Sequence, residues 1–219
     1  FDQPSGLATD ADGNTYVADT QNHRIRKVAP DGTTSTFAGT GTAGHADGPG
    51  GGAQFDHPTG LAMNASGVLF VTDTGNHCIR AITSAGEVST YSGLGTPGFT
   101  DGIAPAARFS SPAGLAIDSF GILYVADTAN HRIRKVDLDG SVSTLAGTGT
   151  AGAANGAGNV AEFSSPTGIA RDTAGFVYVT EASSHAVRRI AADGTTTLFA
   201  GSSATSGYAD ATGAAARFS

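Results

Sequence analysis

The chain has 219 residues, 39% of them hydrophobic, and carries 19 acidic against 12 basic side chains, a formal charge of -7 at pH 7. The basic residues are spread at regular intervals, so no basic patch is available to release counterions, and we expect neither nucleic acid nor an anionic membrane as a partner. A single cysteine, Cys78, excludes an intrachain disulfide framework. No apolar run approaches the ~20 residues of a membrane-spanning helix, so we expect no membrane insertion.

A proline recurs every 54 residues, and behind each proline come a glycine and an apolar pair, as in Gly6-Leu7-Ala8. The prolines are Pro4, Pro58, Pro112 and Pro166. A fixed period of this length indicates a repeat architecture. The sequence therefore predicts one domain, residues 1–219, built of the repeats 1–54, 55–108, 109–162 and 163–219.

Within each repeat the pattern predicts four short strands and essentially no helix. In the first copy the apolar segment behind the proline is the first strand, and residues 10–13 form a hairpin turn, since Asp bonds its own backbone and Gly takes positive φ. The second strand carries Tyr16-Val17, which point to opposite faces and so predict burial on both sides. The third strand runs from His23 to Val28 and the fourth from Ser35 to Gly39. A long Gly-rich connection, residues 40–57, leads to the next copy.

A four-stranded antiparallel meander repeated at this period is typical of a β-propeller blade. The motifs Pro-x-Gly-Leu-Ala, Tyr-Val-Ala-Asp-Thr-x-Asn-His-Arg-Ile-Arg-Lys and Thr-Phe-Ala-Gly resemble the NHL-repeat β-propeller family. Asn-His, which opens the motif behind that name, is kept at Asn22-His23, Asn76-His77 and Asn130-His131, whereas Ser184-His185 keeps only the histidine. The resemblance implies an all-β propeller of four-stranded antiparallel blades, with four NHL-like repeats in this chain.

NHL-like propellers usually have six blades, so the resemblance implies that four copies form part of a larger ring. We expect a homo-oligomer, in which a dimer completes an eight-bladed ring, or further blades of a longer chain. A self-closing ring of four blades is the rival arrangement.

An acid, a histidine and an arginine recur in every copy. The acids are Asp19, Asp73, Asp127 and Glu181; the histidines are His23, His77, His131 and His185; the arginines are Arg26, Arg80, Arg134 and Arg188. A histidine base oriented by an acid would suit catalysis. However, chemistry needs one site, whereas a fold needs the same contact in every blade. We therefore interpret the set as a structural brace, an acid-to-arginine bridge and a histidine hydrogen bond, and predict no catalytic residue.

Candidate metal ligands lie at the ends of the predicted first strands. They are Asp10, Asn64, Asp118 and Asp172. Oxygen ligands converging on a central channel would suit calcium, but capping a glycine turn is the ordinary role of such residues, and we expect no metal or cofactor. His45 and His57 share one connection without evident further ligands, which disfavours zinc. Cys78 replaces an arginine of other copies, and we interpret it as a drifted surface residue.

The loop end of the blades carries most of the variation between copies, and the equivalent positions there include His45, Phe99, Ala153 and Tyr208. Variable loops on a rigid scaffold are typical of binding surfaces, so His45, Phe99 and Tyr208 are the candidate ligand-facing residues. We predict a non-enzymatic scaffold for protein or ligand binding and assembly, with an unidentified partner. The alternative is a propeller enzyme of the lactonase or lyase type with a metal in the channel. The low lysine and high threonine, serine and glycine content favours a secreted or cell-surface bacterial protein.

Overall fold

The computed structural model describes residues 1–203 and 205–219 as a β-propeller of four antiparallel sheets, named blades 1 to 4 in chain order. The predicted fold class is confirmed, because each blade is a meander in which neighbouring strands along the chain pair with each other. Helical structure in the described residues is confined to 3-10 turns of three residues each. None of these turns has the length or apolar character needed to cross a membrane.

The strands have the following bounds. Blade 1 contains β1 (Pro4–Thr9), β2 (Thr15–Asp19), β3 (Arg24–Val28) and β4 (Thr34–Ala38). The short β5 (Gly48–Pro49) follows and pairs with the outermost strand of blade 2. Blade 2 contains β6 (Pro58–Met63), β7 (Leu69–Asp73), β8 (Cys78–Ile82) and β9 (Glu87–Ser92). Blade 3 contains β10 (Pro112–Ile117), β11 (Leu123–Asp127), β12 (Arg132–Val136) and β13 (Val142–Ala146). Blade 4 contains β14 (Pro166–Arg171), β15 (Val177–Glu181), β16 (Ala186–Ile190) and β17 (Thr196–Gly201). The 3-10 turns are Thr20–Asn22, Thr128–Asn130, Ala182–Ser184 and Gly213–Ala215.

The third strand begins one residue later than the sequence suggests. His23 has a φ of 51° and lies in the left-handed region, so it closes the preceding 3-10 turn, and its N–H donates to the Thr20 carbonyl at 3.2 Å. The equivalent histidines of the other blades share this conformation. The expectation that β3 starts at His23 is therefore wrong, and the histidine is a corner residue whose side chain is free to point between blades.

The first strands of the four blades line a central channel, and small residues let them approach closely. A Cβ added to Gly60 of β6 would overlap the Ala113 carbonyl of β10, and one added to Gly114 would overlap the Thr167 carbonyl of β14. The strand carries a bulge at this point in each blade. Glycine in the Pro-x-Gly pattern therefore sets the spacing of the inner strands.

The hydrophobic core consists of three clusters, and each cluster lies between two consecutive blades. The phenylalanine that ends each internal connection is fully buried in or beside the core; these residues are Phe55, Phe109 and Phe163. The connections are thus pinned to the body of the propeller at their ends. The blade interface is accordingly the unit that buries apolar surface and supplies stability.

Blade 1 and blade 4 do not pack against each other in the way that consecutive blades do. Leu7 of β1 is 63% exposed, whereas its equivalent Leu61 is 5% exposed because it packs on blade 1. Phe1 is 60% and Phe218 is 42% exposed. Inner strands of consecutive blades lie side by side, but β1 and β14 show no such packing in the part of the chain that the structure describes. Four blades are thus joined by three interfaces, and two faces of the interface type are left exposed.

Candidate functional site

The repeated acid and arginine meet inside each blade. In blade 2 the Arg80 guanidinium is fully buried, and its Nη1 donates to Asp73 Oδ2 at 2.8 Å. Asp73 also accepts hydrogen bonds from the Asp56 N–H at 2.7 Å and from Asn76 Nδ2 at 2.9 Å. Burial raises the pKa of Asp73, and these three donors oppose that shift. The carboxylate is therefore satisfied from several directions and enclosed, with no room beside it for a substrate.

The same arginine also binds a second acid, which the sequence reasoning missed. Arg80 Nη2 donates to Asp47 Oδ1 in the connection that precedes its blade, and to the Ala46 carbonyl at 2.9 Å. Burial opposes ionisation of Asp47, but hydrogen bonds from Thr90 and Arg80 outweigh it and hold the Asp47 pKa below its usual range. The arginine thus ties its blade to the loop that arrives from the previous one.

Blades 3 and 4 repeat this arrangement, while blade 1 has only half of it. The contacts are Asp127–Arg134–Asp101 in blade 3, Glu181–Arg188–Asn155 in blade 4, and Asp19–Arg26 in blade 1. Asp47, Asp101 and the equivalent Asn155 recur every 54 residues and are visible in the sequence as an Asp-Gly-like step in each connection. Their partner could not be identified without the fold, because the bond spans 33 residues.

The histidines link blades rather than bracing one blade internally. His77 Nδ1 accepts the Ser111 N–H at 3.0 Å, and His131 Nδ1 accepts the Ser165 N–H at 3.1 Å. In both cases the donor belongs to the start of the next blade, so the imidazole nitrogen that would act as a base is engaged in a structural bond. These histidines therefore have a structural role, because each one joins two consecutive blades.

The predicted metal ligands each bind their own turn. Asp10 accepts hydrogen bonds from Asn14 Nδ2 and the Asn14 N–H, both at 2.8 Å, and the Asn14 side-chain bond is the main cause that lowers the Asp10 pKa. The residues lining the central channel, a cavity of about 340 Å³, are serine, threonine, alanine and glycine, without a carboxylate or an imidazole. The oxygen set therefore does not fit a metal held in the channel.

One group of potential ligands in the described residues does converge, and it lies on the loop side of blades 1 and 2. It comprises His23, Asp56 and His57. His57 Nδ1 lies 2.6 Å from Asp56 Oδ1, and the two imidazoles pack edge to face at 4.6 Å. His23 Nδ1 already accepts the His57 N–H at 3.1 Å, and the histidines of blades 2 and 3 make the same bond. The trio is accordingly a hydrogen-bonded corner.

Cys78 is fully buried, so its interpretation as a surface residue is wrong. It opens β8 under the loop that carries His45, with the sulfur 3.7 Å from His45 Nε2. Burial raises the pKa of the Cys78 thiol, which removes the thiolate that a reactive cysteine needs.

The candidate binding residues lie on separate parts of the loop surface. His45 lines a groove of about 390 Å³ beside Thr90. Phe99 lines a groove of about 530 Å³ at the boundary of blades 3 and 4, and its ring lies 3.7 Å from the Arg132 guanidinium carbon. Tyr208 is 91% exposed and lines neither groove. The three residues are equivalent in the repeat but do not form one pocket.

A model of the NHL repeat matches residues 1–28, 55–82 and 109–136, which span the first three strands of blades 1 to 3. The chain is an NHL-repeat protein. The resemblance carried by the Asn-His motifs is thereby confirmed. The matched ranges do not include blade 4, where Ser184 stands at the position of the motif asparagine.

Curated relatives of this NHL-repeat chain are much longer proteins. It is 36% identical over 150 residues to Protein SUPPRESSOR OF QUENCHING 1, chloroplastic, of Arabidopsis thaliana, covering 64% of this chain and 14% of that protein. It is 41% identical over 111 residues to NHL repeat-containing protein 2 of Homo sapiens, covering 49% and 15%. It is 31% identical over 139 residues to peptidyl-alpha-hydroxyglycine alpha-amidating lyase 1 of Drosophila melanogaster, covering 61% and 25%. The chain thus spans a quarter or less of these relatives.

Among solved structures, an auxiliary nutrient binding protein from Bacteroides ovatus superposes with a TM-score of 0.73 at 16% identity, covering 99% of this chain and 52% of that one. Identity this low shows a shared fold. The NHL-repeat chain corresponds to about half of that molecule.

Proposed function

We propose that this NHL-repeat propeller is a non-enzymatic scaffold that binds a protein or ligand partner through its interblade loops and assembles with further blades. The observation that carries the proposal is a contrast within the repeat. The acid and arginine columns are engaged in structural bonds in every blade, and the histidines are so engaged in blades 1 to 3, whereas the loop position of His45, Phe99 and Tyr208 changes its side chain and stays at the surface.

The groove beside Phe99 is the best candidate contact surface. The Phe99 side chain is 43% exposed and is held in place by Arg132, whose guanidinium is fixed by a 2.6 Å hydrogen bond to the Thr148 carbonyl. An aromatic ring that is anchored yet exposed is the type of residue that dominates binding energy at interfaces. Asp101 and Arg132 place both charges at the rim, which suits a polar peptide segment.

Selection of a random peptide library on the immobilised chain tests the proposal. Selected peptides should lose affinity at least about 10-fold when Phe99 is changed to Ala, as expected for an interface anchor. The matched control is Asp12→Arg, which changes an exposed turn on the opposite side of the propeller and should leave binding intact. Peptides that bind the Phe99→Ala chain as well as the parent would contradict the proposal.

A second candidate is an enzyme of the lyase or lactonase type, favoured by the similarity to the Drosophila amidating lyase. The donor set argues against the channel-metal form of this idea, because Asp10, Asn64, Asp118 and Asp172 are bonded to their own turns. Elemental analysis of the purified chain after dialysis against calcium and zinc separates the two candidates. One tightly bound ion per chain that is lost in Asp118→Ala would favour the enzyme. A substoichiometric amount of metal would contradict an enzyme with a metal in the channel.

A further inference from the structure

The contacts across each internal blade interface are repeated so regularly that the exposed faces can be compared with them residue by residue. At every internal interface the connection from one blade gives a side-chain oxygen to the arginine of the next. These pairs are Asp47–Arg80, Asp101–Arg134 and Asn155–Arg188. Asp210 occupies the same loop position after blade 4, and Arg26 occupies the same strand position in blade 1. Asp210 therefore has the position of the accepting loop residue, and Arg26 has the position of the donating arginine.

Arg26 is open to such a partner. Its side chain is 24% exposed and its Nη1 binds Asp19 at 3.1 Å, whereas the equivalent Arg80 and Arg134 are fully buried. Arg80 Nη2 reaches two loop oxygens, of Ala46 and Asp47. In the described residues no contact of this kind is present for Arg26 Nη2, so the blade 1 guanidinium presents unused donors on an exposed face.

The histidine hydrogen bond that joins consecutive blades is also missing on the exposed face of blade 4. The Nδ1 atom of His185 is buried and has no hydrogen-bond partner in the described residues. In the other three blades this atom accepts an N–H from the residue before the proline of the next blade: His57, Ser111 and Ser165. Each of these donors has a φ near +50°, and Gln3, before Pro4, has the same conformation with a φ of 46°. Gln3 of blade 1 is therefore already shaped as the missing donor.

A third pair of positions shows the same complementarity. The variable loop residue packs against the first residue of the third strand in the following blade: His45 against Cys78 and Phe99 against Arg132. The unfilled positions are Tyr208 on the loop and Arg24 at the start of β3. Arg24 is held by a 2.8 Å bond to the Thr40 carbonyl, as Arg132 is by Thr148. The exposed tyrosine thus matches Arg24, whose guanidinium has no aromatic ring above it in the described residues, unlike the equivalent Arg132.

The apolar surfaces agree with these polar matches. A groove of about 320 Å³ lies on the exposed face of blade 4, lined by residues that include Thr180, Val187 and Phe218. The equivalents of the first two in blade 1, Ala18 and Ile25, are fully buried against blade 2. On blade 1, Leu7 stands exposed at the position that fills this contact in blades 2 and 3.

We propose that the exposed face of blade 4 docks on blade 1 of a second copy of this chain, head to tail, with Asp210 on Arg26, Tyr208 on Arg24 and the Gln3 N–H on His185. Two copies joined at both ends give a closed ring of eight blades. Phe1 and Phe218 are equivalent, so Phe1 of one copy replaces Phe218 of the other in the slot against Gly201. The inference rests on the assembly part of the proposed function and removes Tyr208 from its ligand-facing residues.

Sedimentation and light scattering over a range of concentrations test the contact. We expect a species of twice the 21.7 kDa chain mass. Asp210→Arg should weaken association about 100-fold or more, because it sets two cations against each other. Asp210→Asn should retain association, since Asn155 serves at the equivalent position at 2.9 Å, and Asp12→Arg controls for charge. Truncation after Arg217 should not weaken association, because Phe1 fills the slot. A parent chain that stays monomeric at every concentration would overturn the proposal.

Cross-linking defines the geometry independently of the mass. Chains with Arg24→Cys are mixed with chains with Tyr208→Cys and treated with a short thiol cross-linker, while the buried Cys78 is protected. Links between positions 24 and 208 support head-to-tail docking, and links confined to identical positions overturn it. Peptide binding at the Phe99 groove is measured on the Asp210→Arg chain. Peptide binding that persists in this variant shows that the scaffold function does not depend on self-association.

Discussion

Replacing Arg134 with Leu removes the centre of the blade 3 brace and tests whether the repeated acid, histidine and arginine are structural. The Arg134 side chain is fully buried. Its Nη1 donates to Asp127 at 2.7 Å and to the Arg108 carbonyl at 3.0 Å, and its Nη2 donates to the Thr100 carbonyl at 3.0 Å and to Asp101. Leucine fills part of the volume and satisfies none of these oxygens.

The expected loss of stability follows from the buried groups that Arg134→Leu leaves without a partner. Asp127 keeps the Ser110 N–H and the Asn130 amide but loses its counter-charge. Removing one partner of a buried ion pair typically costs about 3–5 kcal/mol. For a chain of this size about 1 kcal/mol corresponds to ~2–4 °C in melting temperature. We therefore expect Arg134→Leu to lower the melting temperature by about 6–20 °C.

Arg26→Leu is the matched comparison, because it makes the same change at the same repeat position. Arg26 is partly exposed and binds the buried Asp19 at 3.1 Å without a second loop acid, so its loss should destabilise the chain less than the loss of the fully buried Arg134. Thermal and urea unfolding of both variants are measured at low protein concentration, where copies are separate. Equal losses for the two variants, or no loss for Arg134→Leu, would refute the buried-brace explanation.

The effect of pH supplies a second check on the same variant. Burial raises the pKa of Asp127, opposed by Ser110, Asn130 and Arg134. Without the guanidinium the folded-state pKa rises further above the unfolded value. A raised acid pKa destabilises the fold above that pKa, and the penalty is relieved as pH falls below it. The deficit of Arg134→Leu relative to the parent should thus be largest at neutral pH and shrink toward acid pH; a deficit that grows on acidification would contradict this sign.

Two further predictions concern single positions. Cys78 should not react with a thiol reagent in the folded chain and should react fully in denaturant, because burial raises its pKa and blocks access; rapid labelling of the native protein would be the contrary result. Gly114→Ala should destabilise by about 1–3 kcal/mol, since its Cβ would overlap the Thr167 carbonyl. Gly51→Ala, with nothing near its Cβ, should stay within about 0.5 kcal/mol of the parent in the same unfolding assay.

The sequence predicts the strands and the turns because both depend on local patterns repeated every 54 residues. The Asp–Arg contact was also accessible, since its partners lie on paired strands seven residues apart, as Asp73 and Arg80 do. The contacts across blades could not be predicted from the sequence. Asp47 and Arg80 are separated by 33 residues, and a period of 54 does not say which loop faces which strand. Cys78 was misassigned for the same reason, because the loop that buries it belongs to the preceding repeat.

The blade interfaces differ at several positions, and two of these positions contact each other across the interface. The loop position and the start of the third strand change together, from His45 with Cys78 to Phe99 with Arg132 and then to Ala153 with Ala186. A contacting pair that differs from one interface to the next can favour the correct neighbour over another blade. Tyr208 and Arg24 occupy the same two positions as Phe99 and Arg132, but the described residues show no contact between them. A chain whose last loop matches its own first blade in charge, shape and backbone conformation is suited to meet a second copy of itself, and the loop surface is what remains for a partner of another kind.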